Sequence, residues 1–287
     1  AVFMIVLFSV LFTRENRPPE SSVVNDVPVA GKTQAVLSLP DGRQVALGNE
    51  KEQDTAWMKY VEACTIESKA TTEPADIKIE VARGGEYKIR LEDGTTVWLN
   101  SESSLIYPEK FTGDKRAVRL SGEGYFEVAR DEKKPFIVSV TDMEIKVLGT
   151  KFNVTAYQDE KMTTTTLISG AVEVVTPHRS VQLQPGKQAM VQEGDDDITV
   201  LEVDVELATS WTAGIFKFDK MALTDICTRL SRWYDIDFVF EGETGKEKFT
   251  GGTWKYVPLK DFLSKIERVT NVLFLFENNT VRVVPKK

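Results

Sequence analysis

Histidine and cysteine are almost missing from this sequence. His178 is the only histidine, and Cys64 and Cys227 are the only cysteines. A Cys-and-His zinc centre or a two-histidine metal site cannot be assembled from that inventory. A disulfide framework is excluded as well, since one bridge is the most that two thiols can form. His178 sits in Thr176-Pro177-His178-Arg179, which reads as a turn. Cys227 falls on the apolar face of an expected helix, so it reads better as a small buried hydrophobe than as a reactive thiol. Basic charge is in short supply too: 36 Lys and Arg stand against 44 Asp and Glu, for a net charge of −8. Such a surface repels phosphate backbones, and no Lys/Arg stripe overrides the average, so no nucleic-acid partner is expected.

What is present is ordinary globular composition, with 41% hydrophobic and 28% charged residues in 287. That length can bury more than one core. The N-terminal run of residues 1–12 is uncharged. Roughly 12 residues cannot cross a bilayer core that needs roughly 20. Two readings fit: part of a transmembrane helix over 1–13, or the core of a clipped signal peptide. Thr13-Arg14 is not a small-x-small cleavage site, which favours the membrane helix. Arg14 and Arg17 argue weakly against that flank being external. A linker follows over 14–34, opening with Pro18-Pro19-Glu20-Ser21-Ser22, a stiff extended spacer that would hold a folded module off a membrane.

Two internal repeats organise the rest. Ala35 to Leu47 matches Tyr87 to Leu99, and each copy reads as a β-hairpin. A three-residue loop ending in Gly94 needs that glycine in the left-handed conformation. Ile89 then faces Val97 and Tyr87 faces Leu99. In the first copy Leu37 faces Val45 and Ala35 faces Leu47. From there to about Val205, short alternating runs broken by Gly, Pro and Asp predict an all-β domain: a sandwich, a jelly roll or a β-solenoid. The second repeat sets Leu223, Ile226, Cys227 and Leu230 against Leu259, Phe262, Leu263 and Ile266. Both follow the i, i+3, i+4, i+7 rule of an amphipathic helix, and each is followed by a strand. Asp219 is the expected N-cap of the first helix, Pro258 suits the first turn of the second, and Asp235 and Asn271 mark the helix ends. Further strands near 215–218, 249–254 and 281–284 complete a small α+β domain. The fold class is mainly β with a C-terminal α+β domain. The expected boundaries are an N-terminal hairpin region at 35–85, an all-β domain at 86–205 and the α+β domain at 214–287.

Candidate chemistry is thin. Gly122-Glu123-Gly124 opens like a dinucleotide motif but lacks the third glycine and leads into a strand. Glu123 and Glu127 could pair as glycosidase carboxylates, though solvated strand faces are the better reading. Asp195-Asp196-Asp197 lacks the ligand spacing of a calcium loop. The five tryptophans, Trp57, Trp98, Trp211, Trp233 and Trp254, are scattered, and packing explains them better than a sugar platform. Gly149-Thr150 lies between two strand-like runs. A Thr150 hydroxyl could attack the preceding carbonyl if the turn is strained, giving an ester that hydrolyses. A plain glycine turn accounts for the same residues and is preferred. No enzyme activity, cofactor or metal is expected.

The order of blocks resembles a known family. Gly84-Gly85-Glu86-Tyr87, Leu91-Glu92-Asp93-Gly94-Thr95, Val97-Trp98-Leu99-Asn100 and Tyr107-Pro108 come first. Leu120 to Val128, Pro135 to Val138, Val147 to Val154, Leu183-Gln184-Pro185-Gly186 and Trp211 follow. Together they are similar to FecR-type anti-sigma regulators of the Bacteroidetes kind. Gly124 stands where that family more often has alanine. Residues 214–287 resemble the C-terminal domain of those proteins, similar to the short signalling domain of secretins and TonB-dependent transducers. The resemblance implies a single-pass inner-membrane protein whose residues after about 14 are periplasmic. It implies two partners: the signalling domain of an outer-membrane TonB-dependent transporter, and an extracytoplasmic-function sigma factor. The sigma factor would be held by a cytoplasmic domain outside these residues. Within 214–287, Arg229, Arg232 and Lys265 are the expected exposed helix contacts. Val281, Arg282, Val283 and Val284 are the expected sheet edge for β-addition. A secreted glycan-binding β protein is the alternative, and a hydrolase using anonymous carboxylates a more distant one.

Overall fold

A computed structural model describes residues 28–40, 42–48, 76–141 and 143–286. The expected membrane segment, most of the linker, Cys64 and Trp57 lie outside the described residues. No helix among the described residues is long and apolar enough to cross a membrane. The described chain forms two compact units, one spanning 32–208 and the other 209–286 together with 28–31.

The first unit is all β. Its first strands are β1 (Lys32–Thr33), β2 (Ala35–Ser38), β3 (Gln44–Leu47), β4 (Asp76–Val81), β5 (Gly85–Arg90), β6 (Thr96–Leu99), β7 (Ser103–Pro108) and β8 (Arg116–Glu127). Then come β9 (Phe136–Val140), β10 (Met143–Val147), β11 (Lys151–Ala156), β12 (Met162–Ser169), β13 (Val172–Val175), β14 (Ser180–Leu183), β15 (Lys187–Gln192) and β16 (Ile198–Glu202). A short helix, α1 (Val205–Thr209), follows them. Both repeat hairpins have the expected register: Leu37 opposite Val45, Ala35 opposite Leu47, Ile89 opposite Val97 and Tyr87 opposite Leu99. Gly42 and Gly94 close their loops at φ 86°, the left-handed conformation that such loops require.

The long strand β8 belongs to two sheets. Its first half pairs with β7 and β9, and its second half with β6 and β11. Gly122 makes the transition at φ 91°, where a Cβ would lie 2.3 Å from Ser103 Oγ. No other residue could occupy that point without moving β7. The sheets face each other: Phe126 on the second half of β8 lies 6.4 Å from Phe136 on β9 and stacks on Phe152 at 5.0 Å. After β8 the hairpins alternate between sheets, with β9–β10 and β13–β14 on one and β11–β12 and β15–β16 on the other. Facing sheets are a sandwich feature, and the steady advance in chain order is a solenoid feature. Two of the three architectures left open by the sequence, sandwich and solenoid, meet in one fold.

The second unit starts with a 3-10 turn (Ser210–Ala213). It continues with β17 (Ile215–Ala222), α2 (Leu223–Tyr234), β18 (Asp237–Phe240), β19 (Lys248–Trp254), α3 (Leu259–Val269), β20 (Val272–Glu277) and β21 (Thr280–Pro285). The repeated apolar positions of α2 and α3 are all buried. Asp235 ends α2 in the left-handed conformation, φ 49°, which aspartate tolerates better than most side chains. One cap assignment is corrected. The N-cap of α2 is Ala222, because Asp219 is still inside β17 and accepts a bond from Thr250 Oγ1. The C-cap of α3 is Thr270, one residue before Asn271.

Candidate functional site

Three places in the structure bear on function: the strand edges of the second unit, the packing around Lys255, and the Gly149-Thr150 bond. The expected edge strand is not an edge. The sheet order is β18-β21-β20, so β21 is the central strand, parallel to β18 and antiparallel to β20. Val281 and Val283 are fully buried beneath the helices, and the backbone on both sides of the strand is paired. Being last in the chain does not make a strand outermost. Here β21 returns into the slot that β18 leaves open. Arg282 points outward and pairs with Glu277 and Glu241 at 2.7 and 2.5 Å. Val284 is half-buried.

The helix candidates divide. Arg229 on α2 and Lys265 on α3 are exposed. Arg232 is buried, at 4% exposure, and the expectation of an exposed contact is corrected there.

An apolar groove of about 140 Å³ runs between β19 and α3. Phe218, Ile226, Phe262 and Ile266 line it, with Lys265 beside them. Sequence reading missed it, because it is made by the approach of two elements and not by any motif.

Lys255 was also missed. It is fully buried, and its Nζ sits 3.8 Å from the centre of the Trp233 ring, with Trp211 and Phe216 at 5.6 and 5.9 Å. Its carbonyl accepts bonds from Trp233 Nε1 at 2.7 Å and Tyr234 OH at 3.1 Å. A cation over an indole face is attracted by the ring quadrupole, more strongly when water is excluded. Lys255 thus ties α2 to the turn after β19.

Thr150 is buried, and its hydroxyl donates to Ala171 O at 2.8 Å. Gly170, at φ 94°, packs so closely that a Cβ there would lie 2.8 Å from Thr150 Oγ and 3.0 Å from Gly149 O. On the other side a Cβ at Gly149 would meet Arg130 at 2.7 Å. The bond is wedged between two segments, but Gly149 and Thr150 do not have positive φ.

The remaining candidates are structural. Glu123 accepts bonds from Asn100 Nδ2 at 2.8 Å and Asn153 Nδ2 at 3.0 Å, and Glu127 pairs with Lys151 at 2.8 Å. Each carboxylate has its own cross-strand partner. Asp196 and Asp197 meet His178 and Arg179 across a turn.

Comparison with known proteins covers both units. The chain matches the family model described as FecR protein over residues 77–173, and that described as FecR, C-terminal over 215–283. Two crystal structures of a candidate anti-sigma factor from Parabacteroides distasonis are similar, each at 30% identity and a TM-score of 0.68. The matches cover 73% of this chain and 99% of the first, and 74% of this chain and 100% of the second. No curated protein matches the chain.

Proposed function

The chain belongs to the FecR family, and on that premise we propose that it acts as the extracytoplasmic sensor and relay of an anti-sigma regulator. The family is regulatory and not enzymatic, and an anti-sigma factor acts by contact with a sigma factor. In this reading the protein spans the inner membrane once, and residues after about 14 face the periplasm. The second unit receives the signalling domain of an outer-membrane TonB-dependent transporter, and the β unit passes that event to the membrane segment. Such a relay is a coupling between two sites. The observation that carries the reading is the match to the Parabacteroides distasonis protein across essentially its whole length. The duplicated helix–strand unit supports it: its apolar helix faces are used up inside, so partners must be met by strand edges and exposed helix residues.

The test is cross-linking of the whole chain to a purified transporter signalling domain, with the links mapped by mass spectrometry. Links concentrated in 209–286 support the reading, and links confined to 32–208 overturn it. Topology is tested by protease treatment of spheroplasts, where cleavage only after lysis would place residues 20–287 on the wrong side.

The reading also includes self-processing at Gly149-Thr150. The Thr150 hydroxyl attacks the Gly149 carbonyl carbon, the C–N bond breaks, and the hydroxyl proton passes to the departing amine. Water then hydrolyses the ester, leaving a Gly149 carboxylate and a Thr150 with its hydroxyl restored. The bond donated to Ala171 O raises electron density on Oγ, which favours attack. The products would stay together, because β11 pairs with β8 and β10 pairs with β13 across the cut.

A further inference from the structure

We infer that the free edge of β19, together with the groove against α3, is an acceptor for one extended strand of the partner protein. The inference rests on the reading of 209–286 as the receiving unit and gives that unit its surface. Strand β19 pairs on one side only, with β17, and among the described residues its other side has no strand neighbour. An edge without a strand neighbour is a template for another strand. The groove runs along β19 where the strand meets α3. All six residues from Phe249 to Trp254 line it. Side chains alternate between the faces of a strand, so a cavity over one face would be lined by every second residue. A cavity touched by consecutive residues follows the edge.

The composition of β19 suits this use. Gly251 and Gly252 are adjacent in the middle of the strand, so no side chain covers the backbone on either face there. Glycine inside a strand costs stability and commonly marks close approach of another backbone; at Gly252 that backbone is β17, since a Cβ there would lie 2.9 Å from Phe216 O. The strand is seven residues long, or roughly 24 Å at about 3.4 Å per residue, enough for a short partner strand. Beneath the edge, Phe218, Phe262 and Ile266 offer an apolar floor. Exposed Lys265 is the charged side chain that lines the groove. The occupant is therefore an extended segment with apolar residues at alternate positions and a carboxylate placed to meet Lys265 Nζ. Main-chain bonds to β19 supply affinity, and the alternate pockets supply selectivity.

The experiment uses the whole chain and a short fluorescein-labelled peptide that alternates valine with threonine and carries one glutamate. Binding is followed by anisotropy. The inference expects saturable binding, weakened about tenfold by methylating the peptide nitrogens that face β19. Val269→Trp, which fills the groove from α3, and Lys265→Glu should each weaken it about as much. A peptide that fails to bind at concentrations on the order of 1 mM, or that tolerates N-methylation, overturns the inference. So does Val269→Trp if it converts an oligomer to a monomer, since the groove would then hold a second copy of this chain. A transporter signalling domain is tested in parallel. If it binds the wild-type chain and Val269→Trp equally while its cross-links still map to 209–286, the groove assignment is wrong and the receiving unit stands. If its cross-links leave 209–286, the broader reading is what has failed.

Discussion

Arg116 at the start of β8 donates to the Asp93 carboxylate at 2.7 Å, with the two side chains only 3% and 12% exposed. Asp93 is the turn residue of the β5–β6 hairpin, and it also accepts from the Thr95 amide and hydroxyl. The same guanidinium donates to Ala129 O and Lys134 O. One side chain therefore joins a hairpin loop, the end of β8 and the loop before β9. Removing one member of a buried pair leaves an uncompensated charge. Arg116→Ala should lower stability by about 3 kcal/mol. Arg116→Lys should recover little, because a point charge cannot reproduce the fork of donors. Urea denaturation of the full chain measures both.

Gly31 lies against the face of Trp233. A Cβ at that position would sit 2.6 Å from the ring, closer than real contacts allow. Its φ is not in the left-handed region, so the constraint is space alone. Gly31→Val should cost about 1–3 kcal/mol, the usual cost of overpacking. It should also raise amide exchange over 28–31. Unchanged exchange there, with the indole fluorescence of Trp233 unmoved, would show that the contact is not made in solution.

Burial holds three tyrosines in the neutral form. The Tyr87 hydroxyl is pushed up to about 12, and those of Tyr107 and Tyr234 are raised too, each mainly by desolvation. For a group that is neutral when protonated, a raised folded value means its contribution is intact below the unfolded value near 10. That contribution is lost as pH rises through the folded value. Stability should therefore fall from about pH 10 upward, together with a cooperative rise in tyrosinate absorbance. The Tyr107 hydroxyl is buried without a hydrogen-bond partner among the described residues. Tyr107→Phe should be at least as stable as wild type and should soften the alkaline loss, since an unsatisfied buried hydroxyl costs about 1–3 kcal/mol.

Intact mass reads the Gly149-Thr150 proposal directly. Incubated protein should give two fragments under denaturing conditions and one particle under native ones. Thr150→Ser should keep the cut and Thr150→Ala should abolish it. Gly170→Ala, which pushes a methyl toward Thr150 Oγ and strains a φ of 94°, should change the rate at least several-fold through the attack geometry. A single full-length mass throughout defeats the proposal.

The sequence alone determined the elements whose information is local. Gly42 and Gly94 specify their loops, and the loop length then dictates which residues face each other, so both hairpin registers were legible. The spacing of Leu223, Ile226, Cys227 and Leu230, repeated from Leu259, was enough to name two helices and their buried faces. Only the tertiary structure decided what depends on the order in which strands are laid side by side. Nothing within Val281 to Val284 distinguishes an outer strand from a central one: a buried alternating strand reads the same wherever its neighbours come from. The neighbours are β18 and β20, and the first lies some forty residues away in sequence, as Phe238 opposite Val281 makes plain. The outer positions of that sheet fall to β18 and β20, and β19 is an edge of the separate two-stranded sheet it forms with β17. Lys255 is the same lesson in a single residue. A lysine after a tryptophan reads as surface, and only the convergence of Trp211, Phe216 and Trp233 around its ammonium makes burial tolerable.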